Sequence, residues 1–177
     1  MAGCESVSAQ VMCLPLKILG CLILTAAGFG AGSLFSARLY RRRDFLRRLQ
    51  GFLSSLSTDL RYRGDDIFTL VTECAKRAGL TALSVQPSED SFENAWNKAI
   101  NGVCAAFPLQ REDESLLREI GSQLGKTDLE GQLRHLSLIE TRLAERLRDA
   151  EESLLQKAKL CKTMGFFVGA ATAIVLM

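Results

Sequence analysis

The run "ILGCLILTAAGFGAGSLFSA", from Ile18 to Ala37, holds no charged residue, and "RLYRRRDFLRRLQ" follows it at once. Twenty helical residues rise ~30 Å, the hydrocarbon thickness of a bilayer, so the run predicts a transmembrane helix over 16–37. A cleaved signal peptide is the competing reading. Against it, Lys17 is the only basic side chain before the run, the dense cluster comes after it, and no convincing cleavage site closes it. Almost no apolar sequence precedes Ile18-Leu19-Gly20-Cys21, which therefore makes a poor acylation box.

The other end mirrors this. "TMGFFVGAATAIVLM" is uncharged from Thr163 to Met177, fifteen residues or ~22 Å of helix. With Lys159 and Lys162 snorkelling toward headgroups, it predicts a thin second span over 163–177, a buried C-terminal helix being the alternative. Arg38, Arg41, Arg42, Arg43, Arg47 and Arg48 flank the first run, and Lys157, Lys159 and Lys162 flank the second. The positive-inside rule puts both clusters in the cytoplasm. The organisation is then an extracytoplasmic 1–15, a span over 16–37, a cytoplasmic domain over 38–162 and a short span over 163–177. Arg38, Arg41, Arg42, Arg43, Lys159 and Lys162 fall at the membrane interface. Gly28 with Gly32, and Gly165 with Gly169, would let the two spans approach closely.

The middle reads as helices throughout. Phe45, Leu49, Phe52, Leu53, Leu56 and Leu60 recur at spacings of three and four, and Gly64-Asp65-Asp66 breaks the chain and offers a capping carboxylate. Ile67, Leu70, Val71, Cys74, Ala75 and Ala78 make a second face that stops at Gly79. Leu80 to Glu89 is the longest connection. Phe92, Ala95, Trp96, Ala99, Ile100, Val103, Cys104 and Phe107 mark a third helix, ended by Pro108. Leu116, Leu117, Ile120 and Leu124 mark a fourth, whose start Glu112-Asp113-Glu114 suits the positive end of a helix dipole. Thr127-Asp128-Leu129-Glu130 has capping-box spacing and opens the longest helix, from about Asp128 to Met177, with a stripe of Leu129, Leu133, Leu136, Leu143, Leu147, Ala150, Leu154 and Cys161. The fold class is all-α: an antiparallel helical bundle whose first and last helices continue into two transmembrane spans.

Chemistry is sparse. His135 has no nucleophile at a motif spacing and reads as an exposed helix histidine. Gly125-Lys126-Thr127 is only a fragment of a phosphate-binding loop, without its strand or preceding glycine. The paired carboxylates Asp65-Asp66 and Glu151-Glu152 read as a cap and a solvated face. The six cysteines have no C-x-x-C spacing, so no metal, cofactor or redox pair is expected, and the chain reads as a non-enzyme. A net charge of +2 does not mark a nucleic-acid binder, and Leu39, Phe45, Leu46 and Leu49 interleave the arginines at packing rather than stacking positions. Attraction to anionic headgroups accounts for that cluster, and no nucleic-acid partner is expected.

Several stretches in order resemble the stage III sporulation protein AB family: Leu16 to Gly20, Arg38 and Arg43, Leu56 to Tyr62, Phe92 with Trp96, Leu124-Gly125 followed by Asp128 and Gln132, and "KAKLCKTMG" from Lys157 to Gly165. Residues 1–11 lie outside the resemblance. Arg63-Gly64-Asp65 and Cys161 depart from the family's usual turn and aromatic anchor. The resemblance implies a component of the membrane complex linking mother cell and forespore, facing the forespore from the mother-cell membrane. Its cytoplasmic domain would be similar to that of the F-type platform protein of type II secretion. It implies a secretion-type ATPase and other membrane components as partners, with the chain as platform or adaptor rather than catalyst. Arg61, Arg63, Gln132 and Arg134 are the candidate partner-binding residues. The alternative is a helical regulator tethered by one span.

Overall fold

The computed structural model describes residues 5–87 and 91–176, with few side chains outward of Gly30 and Leu160. It contains five α-helices and no strand among the described residues: α1 Glu5–Tyr62, α2 Ile67–Arg77, α3 Phe92–Ala106, α4 Arg111–Gln123 and α5 Leu129–Leu176. A 3-10 turn at Thr81–Leu83 interrupts the connection expected to be a plain loop. Leu39–Glu152 forms one compact unit; Met1–Arg38 and Ser153–Met177 form another. The arginine-rich stretch lies inside α1 without a break, and α5 likewise runs on through Lys159 and Lys162. Among the described residues no helix is long and apolar enough to cross a membrane. The surroundings of Gly28 and Gly32, Gly165 and Gly169, and of the Cys161, Lys159 and Lys162 side chains lie outside the description, as do those of most of the two uncharged runs.

Within Leu39–Glu152 the helical periodicity is realised as burial. Phe45, Leu49, Phe52, Leu53, Leu56 and Leu60 of α1 are all in the core, joined by Leu46. Leu70, Val71, Cys74 and Ala75 of α2, Trp96, Ile100 and Val103 of α3, and Leu116, Leu117 and Ile120 of α4 close around them. From α5 come Leu136, Ile139, Leu143 and Ala150. Leu129, expected in that stripe, is instead exposed, because it is the first residue of α5 and only the helix beyond it packs on the core.

Local chemistry sets the ends. The Asp66 carboxylate accepts from the Phe68 N–H at 3.1 Å and starts α2. Gly79 ends it at φ +69°, a left-handed conformation that a side chain would strain. The connection after it is strapped down: Leu80, Leu83 and Val85 are buried, and the Thr72 hydroxyl both donates to the Val85 carbonyl at 2.6 Å and accepts from its N–H at 3.2 Å. The expected capping box at Thr127 does not form. The Asp128 carbonyl accepts the first helical bond, from the Gln132 N–H, which puts Asp128 in the cap position and shifts Thr127 and Glu130 one place out of register.

Trp96 is the centre of the aromatic core. Its ring stacks between Phe52 at 6.1 Å and Phe92 at 6.0 Å, and Phe68 meets Phe92 edge-on at 5.4 Å. The indole N–H donates to the Leu117 carbonyl of α4 at 2.8 Å. That close approach needs Gly121, since a Cβ there would lie 2.0 Å from Trp96 Cδ1.

The second constraint is ionic. Arg42 and Asp113 are 5% and 1% exposed, and they pair through two bonds, Nε to Oδ2 at 2.6 Å and Nη2 to Oδ1 at 2.9 Å. The same carboxylate accepts from the Gln110 N–H at 3.0 Å, closing the α4 N-terminus. Arg42, expected among the headgroup-facing arginines, is therefore a core residue, because it falls on the α1 face that turns toward α4.

Gly121→Ala should drive the Trp96 ring out of place and cost about 1–3 kcal/mol from overpacking, more where the indole bond is also lost, read as a lowered midpoint in urea. Asp113→Ala should cost about 3–5 kcal/mol, since it strands a buried guanidinium. Arg42→Met with Asp113→Leu should recover a large part of that loss, and equal destabilisation of the double variant would refute the stranded-charge explanation.

Candidate docking site

The arginines of 38–48 have separate tasks. Besides Arg42 in the core, Arg41 donates to the Ala106 carbonyl at 2.9 Å, at the C-terminal end of α3, and lies 5.9 Å from the centre of the Phe107 ring. Arg43 pairs with Asp44 at 2.6 Å and lies over the Tyr40 ring. Arg47 reaches Glu151 of α5 at 2.8 Å, and Arg48 reaches the Gly79 carbonyl at 3.3 Å. Arg38 is exposed. Protein groups thus engage most of a cluster whose composition alone points to phosphate or headgroups.

The four candidate partner-binding residues do not stay together. Arg61, Arg63 and Gln132 line one open groove of about 420 Å³, where the end of α1 meets the starts of α2 and α5. Arg134 is exposed further along α5 and is not part of it. Leu60, Ile67 and Leu70 supply apolar lining, while Tyr62 and Leu129 at the same groove are 79% and 46% exposed. Tyr62 and Leu129 were missed as site residues. The helical period placed Leu129 in the core stripe, and Tyr62 carried no signal beyond being an aromatic at a helix end.

Arg63 is ringed by carboxylates. It meets Glu73 at 2.7 Å, Asp65 at 2.7 Å and Asp59 at 3.7 Å, which pins the turn between α1 and α2. Asp59 also takes a hydrogen bond from Arg77 and lies 3.5 Å from the Cys74 thiol. Burial pushes the Asp59 carboxyl up, but the bonds from Arg77 and Cys74 and the charges of Arg77 and Arg63 outweigh it, leaving the group below its ordinary value. Cys74 moves the other way: burial first, then the Asp59 carboxylate, push its thiol up to about 11. It stays a protonated, buried hydrophobe at neutral pH. Gln132 is likewise structural in part, donating to the Thr127 carbonyl at 2.7 Å and accepting from the Gly125 N–H at 3.4 Å. Among the described residues Arg61 has no hydrogen-bond or ion-pair partner, and its exposed side chain stands at the groove.

His135, expected to be exposed, is partly buried with Nε2 3.1 Å from the Glu119 carbonyl. A carbonyl only accepts, so Nε2 carries the proton in this contact. Arg142 pairs with the Glu119 carboxylate at 2.8 Å, which leaves the region between α4 and α5 knit by structural contacts.

These features define a protein that is all-helical among its described residues and whose compact unit holds an open, basic-edged groove. A family model described as "Stage III sporulation protein AB (spore_III_AB)" matches residues 17–177, and the chain belongs to that family. It is 28% identical over 171 residues to the "Stage III sporulation protein AB" of Bacillus subtilis (strain 168), a match that covers 92% of this chain and 99% of the relative. The family is defined by sporulation rather than by an enzyme class. No solved structure matches the chain.

A depressed Asp59 pKa means that its ion pairs contribute stability above the ordinary carboxylate range near ~3.9, and that this contribution fades as pH falls through the lower native value. Asp59→Asn should therefore melt below the wild type at pH 7, and the gap in Tm should narrow as pH falls below ~4. A gap independent of pH would assign the loss to something other than the charge.

Proposed function

We propose that the chain is a non-catalytic membrane platform of the sporulation complex between mother cell and forespore, and that it docks a cytoplasmic secretion-type ATPase. The observation that carries this is the groove. Three of the four residues picked out for partner binding meet there, beside an exposed tyrosine and leucine, on a compact unit carried by two long helices. Interfaces take much of their energy from a few clustered residues, among which Tyr and Arg are enriched. Family membership supports the sporulation role.

The membrane reading rests on the uncharged runs over 18–37 and 163–177 and on their basic flanks. Leu34, inside the first run, and Leu160, three residues before the second, are 70% and 57% exposed, which suits lipid or a membrane partner better than water. Basic flanks put Leu39–Glu152 in the cytoplasm, where the ATPase would reach it and supply the energy. The single-span regulator keeps one observation in its favour: fifteen uncharged C-terminal residues make only ~22 Å of helix.

The full-length chain in phospholipid nanodiscs should form a complex with the ATPase of the same sporulation complex that survives gel filtration, and should show no ATP turnover by itself. Failure to co-migrate, or nucleotide turnover by the chain alone, would overturn the platform reading. With Met177→Cys, labelling of position 177 by an impermeant thiol reagent only from the cytoplasmic side would establish the single-span topology instead.

A further inference from the structure

We infer that the groove between the end of α1 and the starts of α2 and α5 receives a partner segment that presents an apolar side chain next to a carboxylate. Arg61 pairs the carboxylate, and Tyr62 and Leu129 enclose the apolar group. The inference rests on the platform reading and names the chemistry of the docked element.

Charge supports the choice. Groove-lining Arg61, Arg63 and Asp65 carry two positive charges and one negative. Three carboxylates, Asp59, Asp65 and Glu73, already surround Arg63 and neutralise its charge, which makes it a poorer partner than Arg61 for an incoming anion. Among the described residues nothing occupies the donors of Arg61. An aliphatic or aromatic side chain entering beside it meets Leu60, Ile67 and Leu70 rather than charge. Tyr62 and Leu129 then lose their exposed area to the partner, and an exposed Tyr with Arg beside a concave apolar lining is the composition of an interface anchor. The groove's frame is held by the Arg63 ion pairs and the Gln132 bonds, so little ordering is left for the moment of binding.

A protein segment suits the site better than a lipid surface does. The groove lies twenty-three residues, ~34 Å, along α1 from Leu39, where the compact unit begins, and it is concave. A bilayer surface is flat on this scale and would meet Arg61 without filling the apolar lining.

The test uses the full-length chain in phosphatidylcholine nanodiscs, with the ATPase of the same sporulation complex as the probe. Arg61→Gln and Tyr62→Ala should each weaken binding at least tenfold, whereas Lys98→Gln, exposed on α3 and outside the groove, should stay within twofold. Both groove residues are exposed, so unchanged thermal melting is the folding control. Benzoylphenylalanine at position 62 should cross-link to a partner peptide containing Asp or Glu. Lysine at that acidic position should restore binding to Arg61→Glu. Wild-type affinity in Arg61→Gln and Tyr62→Ala would overturn this inference and leave the platform reading standing. A cross-link to a second copy of this chain would overturn it in favour of self-association. No ATPase binding to the wild-type chain would remove both.

Discussion

The pair between Arg42 and Asp113 is the contact on which the arrangement of Leu39–Glu152 turns. One buried carboxylate takes two bonds from α1 and one from the backbone that starts α4, so a single group sets both where α4 begins and how it meets α1. Two charges out of water are expensive, and the cost is offset only when geometry is bidentate and further donors are satisfied. Both conditions hold here. Such a pair adds less to net stability than an apolar replacement can, but it penalises every other register of α1 against α4, because any slip leaves a buried charge alone. We read it as a registration device.

Its neighbours extend the registration. Arg41 caps the end of α3 one residue before Arg42, and Phe45 packs on Phe107 at 4.9 Å, so three residues within one and a half turns of α1 organise the passage from α3 to α4. Trp96 then locks α3 to α4 further along, with its indole N–H on Leu117 and its ring against Gly121. Gly121 costs about 0.5–1 kcal/mol of helix propensity relative to alanine, which the close fit of a stacked tryptophan more than offsets. Within Leu39–Glu152, α1 runs unbroken from Arg42 to the groove at its C-terminal end, so the registered face and the groove share one helix.

Much of this was legible beforehand. Burial imposes a period of about 3.6 residues on apolar positions, and that period marked all the helices and nearly every core residue of α1 to α4. Capping chemistry marked Asp66 and Gly79, where a carboxylate or a left-handed glycine is needed locally. Errors arose where a residue's neighbour is distant in sequence. Asp113 read as one of three acids at a helix start, and Arg42 as one of several at a basic edge; only the folded chain separates each from its look-alikes. Leu80, Leu83 and Val85 were missed as core because a connection without regular secondary structure has no period to read. His135 was misplaced because its partner is a backbone carbonyl on another helix.

The sequence by itself determined that the chain is helical, where its helices start and stop, which faces are apolar and which family it belongs to, because these depend on local backbone preferences, short-range spacing and the order of motifs. Only the tertiary structure decided which arginine is buried, that Arg63 is spent on its own turn while Arg61 is not, and that Tyr62 and Leu129 meet at one groove. Those outcomes depend on contacts between residues as much as 71 positions apart, and their energies change sign with burial: the same guanidinium is nearly neutral in water and decisive once enclosed.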